Sequence, residues 1–434
     1  MRAHAIVKKV FEAATKWSKL LSLLLPPPLR PPTLPILPAE LIELILLRLP
    51  ARSLLKFKRV CKSWKTLISS SDFTKNQVQL SIMAEPAISE IHLVYTNLLR
   101  HSDSKIGFIS IQSLLENLSF GTEVVYFPMD DCVKILGSCN GFLCLNNHPK
   151  NTDFKVRLLN PCTGLASEWL TLFASDYNQR RPPITNFGFG YDHVNDKFKI
   201  LAVVESSTRI YTFGEYSWIS VQDIPLHPLE WNGTFVTGTG TFNWLATKIA
   251  SFITYPVHQT TIVVLSFNFG NKSYGQIALP NFEGGMIHRE PVLVTLRNSL
   301  CVCHEYKKSV WDLWMMKEYG NEDSWTRMFV ISHDEELIPR AHGIGIRPLH
   351  MMENDLLLVL VRPPWYQLAV YNPANKGDRF GYPVINYYSS DDDMPNYNNP
   401  RGCFYVYRES LVSPSHYGLK TDHVWLWDDD DDDN

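Results

Sequence analysis

The sequence lacks any apolar run approaching the ~18 residues of a membrane-spanning helix, so no integral membrane span is expected. It also lacks a surplus of either charge: Lys plus Arg total 41 against 44 Asp plus Glu, a formal net charge of -3. That balance gives no global reason to expect a nucleic acid or membrane partner. Cysteine is sparse, 8 in 434 residues, and never falls at paired zinc-type spacing. The thiols therefore read as small buried hydrophobes of a reducing compartment rather than a disulfide framework. Cys301 and Cys303, at i and i+2, share one face of a strand, but two ligands do not make a metal site.

Catalytic signatures are missing too. Nucleophile elbows, zinc-hydrolase helices, Walker loops and dinucleotide fingerprints do not occur. Gly188-Phe189-Gly190 and Gly343-Ile344-Gly345 lack the third glycine and the strand-to-helix context of a phosphate site, and read as turns. His193, His288, His304 and His342 have no carboxylate or cysteine at ligand spacing and read as surface or satisfied core histidines. No catalytic residue, metal or cofactor is expected, and the chain is not expected to be an enzyme by itself. Three glycosylation triplets, at Asn117, Asn232 and Asn271, have no secretory signal to make them meaningful.

What is present is globular. The hydrophobic fraction is 45% and the charged fraction 20%, and 12 Trp, 19 Tyr and 22 Phe lean toward strands. Residues 1–25 place Ile6, Val10, Phe11, Ala14, Trp17 and Leu21 at helical spacing among Arg2, Lys8, Lys9, Lys16 and Lys19, a basic amphipathic helix. Such a helix packs on a neighbour or targets an organelle; a location in the cytoplasm or nucleus is the expectation. Seven prolines from Pro26 to Pro38 make a stiff connector over 26–35. At the other end Asp428 to Asp433 form a self-repelling acidic tail over 428–434, and 387–400 reads as an exposed loop.

Between these lies a segment that does not look self-sufficient. Leu37 to Ile68 reads LPAELIELILLRLPARSLLKFKRVCKSWKTLI. A helix over 39–49 ends at Pro50, Ser53 is placed to cap a second helix through Phe57, and a third runs from Lys62 to Ile68. The first helix is apolar over more than one face, whereas a self-sufficient surface helix shows a single stripe. Arg48, Arg52, Lys56, Lys58, Arg59, Lys62 and Lys65 surround it, which favours an acidic partner. This small all-α module is assigned to 36–80.

Beyond Phe73 the pattern changes to short strands and turns. One phrase, a turn residue followed by an apolar strand, starts at Gly141, Gly190, Gly240, Asn298 and Asn354, spacings of 49, 50, 58 and 56. A period near fifty belongs to a propeller blade, so 90–427 is expected to form a β-propeller-like domain of about six or seven blades. A two-sheet sandwich is the alternative. Asn160-Pro161 and Asn372-Pro373 each end a strand on a turn, and 261–280 reads as a hairpin turning near Asn271. The fold class is α+β multidomain.

Leu37-Pro38, Leu49-Pro50, Ser53-Leu54, Phe57, Val60-Cys61-Lys62, Trp64, Leu67-Ile68 and Phe73 closely resemble the F-box in order and spacing. The phrases GSCNGFLCL, LLNPCTG, FGFGYD and LSFNFGNKSYGQIALP resemble the kelch-related F-box-associated domain of plant F-box proteins. This resemblance implies a substrate-recognition subunit of a Skp, cullin and F-box ubiquitin ligase. Leu37, Pro38, Leu41, Ile45, Leu49, Pro50 and Leu54 would bind the Skp-family adaptor and, through it, cullin. Phe57, Val60, Trp64 and Ile68 would form the F-box core, while the β-domain holds an unidentified protein target for ubiquitination and proteasomal degradation. A glycan- or small-ligand-binding propeller, with Trp218, Trp231, Trp244 or Trp365 stacking on sugars, is the alternative. A propeller hydrolase would need carboxylates converging on the central channel.

Overall fold

The computed structural model describes residues 37–83, 90–97, 105–116, 125–128, 133–147, 153–173, 184–204, 206–215, 217–229, 233–247, 257–258, 262–282, 286–287, 290–307, 310–332, 345–352, 354–362, 367–372, 379–380 and 404–424. The segments 1–25, 26–35, 387–400 and 428–434 assigned above lie outside them. The chain divides into two compact units, Met1–Leu80 and Ser81–Asn434. Among the described residues no helix is long and apolar enough to cross a membrane.

The first unit is helical: α1 Ala39–Leu46, α2 Ala51–Phe57, α3 Lys62–Ser69 and α4 Ser71–Met83. The two Leu-Pro pairs do the same job. Pro38 and Pro50 sit at the N-caps of α1 and α2 with extended ψ, and their carbonyls accept from Ile42 and Leu54 N–H at 3.1 Å. Proline's fixed φ starts each helix and needs no donor there. Ser53, expected to be the α2 cap, lies inside the first turn instead, because Pro50 already fills that role. The pattern after Phe73 also differs from expectation: α4 continues to Met83, with Ser70 Oγ accepting from Phe73 N–H at 3.3 Å.

The second unit is a six-bladed β-propeller. Blade 1 pairs Phe404–Arg408, Ile91–Asn97, Lys105–Ser110 and Val125–Pro128. Blade 2 contains Val133–Cys139, Phe142–Asn147, Phe154–Asn160 and Leu165–Ser167, extended by Leu170–Phe173 and by Thr421–His423. Blade 3 runs Ile184–Asp192, Lys197–Val204, Ser207–Thr212 and Trp218–Asp223. Blade 4 is built on Thr241–Thr247, flanked by Thr234–Val236 and His227–Pro228 on one side and by Ile262–Asn268 and Ser273–Ala278 on the other. Blade 5 runs Val292–Leu296, Ser299–Lys307, Val310–Met316 and Trp325–Ser332. Blade 6 runs Gly345–Met351, Leu357–Arg362, Gln367–Tyr371 and Arg379–Phe380.

The first-listed edge strands of blades 1 to 6, Thr234–Val236 in blade 4, touch one another in a closed cycle, which makes them the inner ring and rules out the sandwich. Apolar seams fill the spaces between neighbouring blades, as between 3 and 4, 4 and 5, 5 and 6, and 6 and 1. Second strands are therefore buried on both faces, for example all of Phe142–Asn147 and Thr241–Thr247. That is why they read as continuous apolar runs rather than alternations.

The sequence repeat marks one particular hairpin. Asn140-Gly141 (φ 47 and 81) and Arg297-Asn298 (φ 46 and 58) are two-residue turns between first and second strands, with both residues left-handed as a type I′ turn demands. Gly240 and Asp355 occupy the same place in blades 4 and 6. In blade 3 the turn is carried by Asp192, whose Oδ1 accepts from Val194 N–H at 2.9 Å and whose Oδ2 meets Lys199 Nζ at 2.5 Å, both groups buried. Gly188 and Gly190 are not turn residues: both lie inside the inner strand of blade 3. A Cβ there would sit 2.8 Å from Phe242 and 2.4 Å from Phe235, so close inter-blade packing requires glycine. Five repeats yield six blades because blade 1 takes its inner strand from the far end of the chain.

Candidate functional site

Leu41 and Ile45, four residues apart in α1, align on one face, and Leu37 precedes the helix just outside its N-cap Pro38. Leu37, Leu41 and Ile45 are 45%, 47% and 52% exposed, joined by Leu44 at 47%, while Leu46 and Leu47 on the other side are buried. Pro38 is exposed beside them, and Leu49 and Pro50 are half-buried. Leu44 was not expected on this face; its i, i+3 spacing from Leu41 is the signal that could have placed it. Roughly half-covered aliphatic side chains forgo about 1 kcal/mol each that full burial would recover.

Two expectations change. Leu54 is 0% exposed and belongs to the core of the bundle, so it is not available as a surface contact. Val60, expected in that core, is 61% exposed, because it falls in the turn after α2. Ile68 is fully buried, and Phe57 meets Trp64 edge-on with ring centroids 5.7 Å apart. Arg48, Arg52, Lys56, Arg59, Lys62 and Lys65 are all exposed, and Lys58 is half-buried. Arg48 Nη1 also donates to Leu44 O at 2.7 Å, holding the last turn of α1. Exposed Cys61 precedes α3; the Ser63 hydroxyl, 3.1 Å away, and the Trp64 backbone N–H hold its thiol below the usual range.

The propeller supplies a rigid scaffold whose closure is chemically specific. Asn160, buried completely, donates through Nδ2 to Ser410 O at 3.0 Å and Val412 O at 2.7 Å. Its Oδ1 accepts from Tyr407 OH and Cys162 N–H, both at 2.9 Å. The Asn-Pro phrase of blade 2 thus binds the segment that completes blade 1. Gly141, in the neighbouring turn, has φ 81, and a Cβ there would fall 1.7 Å from Ser410 Oγ.

Other sequence candidates resolve into structure. Cys139, Cys144, Cys162, Cys301 and Cys303 are buried free thiols, and burial pushes Cys301 up to about 12. Trp244 is a core residue at 1% exposure, and Trp218 donates its indole N–H to Leu172 O at 3.1 Å, so neither offers an open ring face with a free N–H. Trp231, Trp365, His288, His342 and Gly343 lie outside the described residues. His304 is buried but not satisfied, contrary to expectation: neither ring nitrogen has a hydrogen-bond partner. An open groove of about 340 Å³ between the outer strands of blades 3 and 4 is lined by Gln222, Asp223, Pro225, Tyr274, Gly275 and Gln276. Its only carboxylate is Asp223, which is no acid-base pair.

Residues 81–412 match the F-box associated beta propeller domain, and residues 34–76 match the F-box domain. The chain belongs to the F-box-associated β-propeller family. This F-box protein is 27% identical over 397 residues to F-box/kelch-repeat protein At3g23880 of Arabidopsis thaliana, covering 87% of this chain and 96% of that one. F-box protein CPR1 of the same plant is 23% identical over 325 residues, covering 68% and 73%. F-box/LRR-repeat/kelch-repeat protein At2g27520, also from Arabidopsis thaliana, is 23% identical over 306 residues, covering 69% and 77%.

Proposed function

We propose that this F-box protein is the substrate-recognition subunit of a Skp, cullin and F-box type ubiquitin ligase. The observation that carries the reading is the exposed apolar surface formed by Leu37 and Pro38, which lead into α1, and by Leu41, Leu44 and Ile45 on it, within an F-box. A Skp-family adaptor covers that stripe, cullin joins through the adaptor, and the propeller holds a target protein on its loops. The chain performs no covalent step. It raises the effective concentration of target lysines near a charged conjugating enzyme, leading to ubiquitination and proteasomal degradation. This role places the protein in the cytoplasm or nucleus, which microscopy of a tagged full-length chain would test.

The reading is tested by co-purification of the full chain with a Skp adaptor of its own organism. Leu41→Asp with Ile45→Asp should abolish the association at a stability cost of about 2 kcal/mol, since each half-exposed side chain gives up only its covered half. Leu54→Ala provides the contrast: it removes a fully buried side chain and should cost 2–5 kcal/mol of stability. Retained adaptor binding in the double Asp variant, or none by the unmodified protein, would overturn the assignment.

A further inference from the structure

Blades 4 and 5 meet along an apolar seam of Val236, Leu245, Ile262, Val264 and Ile277 facing Leu293, Leu300, Val302 and Met316. Three polar ring atoms sit in it unpaired. Both nitrogens of His304, a residue 3% exposed, and Nε1 of Trp314 are buried without a hydrogen-bond partner. The ladder registers Val302 opposite Trp314 and His304 opposite Asp312, so His304 and Trp314 are diagonal neighbours on one face. Such neighbours lie about 7–8 Å apart at Cα, less at the side chains. Phe282 packs edge-on against the imidazole, centroids 4.2 Å apart, and lies 6.4 Å from the indole.

The surroundings select the ligand. Asp312, across the ladder, already accepts from Arg327 Nη2 at 2.7 Å, so that carboxylate is neutralised. Among the described residues a metal ion would find no second carboxylate, and the Arg327 guanidinium beside this seam is already bound to Asp312. Burial holds the imidazole down at about 4, so it is neutral at cellular pH. It then presents one N–H donor and one lone pair, and the indole presents a second donor. A neutral hydroxyl, which donates and accepts, meets both kinds of atom.

We propose that the seam between blades 4 and 5 is a buried hydration site in which one or two water molecules bind His304 and Trp314. Internal waters of this kind occur where polar groups would otherwise stay unpaired. The site lies just beyond Cys303, the last residue of its strand to pair with the inner strand of blade 5.

A high-resolution crystal structure of the full chain tests this directly. Ordered solvent within 3.2 Å of a His304 nitrogen and of Trp314 Nε1 is expected (); a dry, intact seam overturns the proposal. Denaturation at pH 7.5 gives an independent sign. With water present, His304→Leu strands the solvent held by Trp314 and lowers the folding constant roughly tenfold. In a dry seam the same change removes two orphaned atoms and raises it. Trp314→Phe should behave likewise, so failure of one variant to fold leaves the other, and the diffraction result, to decide.

Discussion

Asn160→Asp is the sharpest perturbation of the propeller, because it keeps volume and the Oδ1 acceptor while replacing the Nδ2 donor with oxygen. That oxygen would stand 2.7 Å from Val412 O and 3.0 Å from Ser410 O, acceptor against acceptor, at a completely buried position. Two carbonyls lose their donor, and each buried orphan costs about 1–3 kcal/mol. Protonating or burying the new carboxyl adds to this, so about 3–6 kcal/mol of destabilisation is expected. A fold with a total stability of about 5–15 kcal/mol feels such a loss strongly. The damage should be local first: hydrogen exchange in 404–412 should accelerate before that of blades 3 to 5, because Asn160 ties the end of that segment, Ser410 and Val412, to blade 2. Urea denaturation followed by tryptophan fluorescence gives the global cost. A change below about 1 kcal/mol with unaltered protection of 404–412 would refute the view that Asn160 closes the ring.

Gly141→Ala should destabilise the same closure through positive φ and collision with Ser410, and adding Ser410→Gly should restore the steric part, read as a partial recovery of the urea midpoint. Native-state alkylation followed by mass spectrometry should label Cys61 rapidly and leave Cys139, Cys144, Cys162, Cys301 and Cys303 unmodified until unfolding. Burial lowers His304 to about 4; burial, followed by the charges of Arg408 and Arg297, does the same to His350. The unfolded chain therefore binds these protons more readily, and stability present above pH ~6.5 should fall as pH drops toward 4, by up to about 3 kcal/mol per histidine. Glu90, raised by burial, acts in the opposite sense, and a His304→Phe variant whose midpoint shows the full wild-type pH dependence would remove His304 from this account.

The sequence by itself determined the module order and the exposed apolar face of α1. The two Leu-Pro pairs act through proline's own φ, and the stripe at Leu41 and Ile45 follows from helical periodicity, so local chemistry sufficed. It also determined the repeat, because a left-handed turn favours Gly, Asn or Asp, as at Gly141, Asn298 and Asp355. Only the tertiary structure decided that six sheets close a ring, since blade 1 is completed by residues 404–408, far along the chain from 91–97. It likewise sorted Leu54 into the core and Val60 onto the surface, which type and spacing alone do not distinguish. Asn160 looked like a turn former, and the unpaired state of His304 had no local trace. Both depend on partners brought together across the sequence, at 250 residues' separation for Asn160 and Ser410. Hydrogen-bond satisfaction inside a core is a property of the assembled fold.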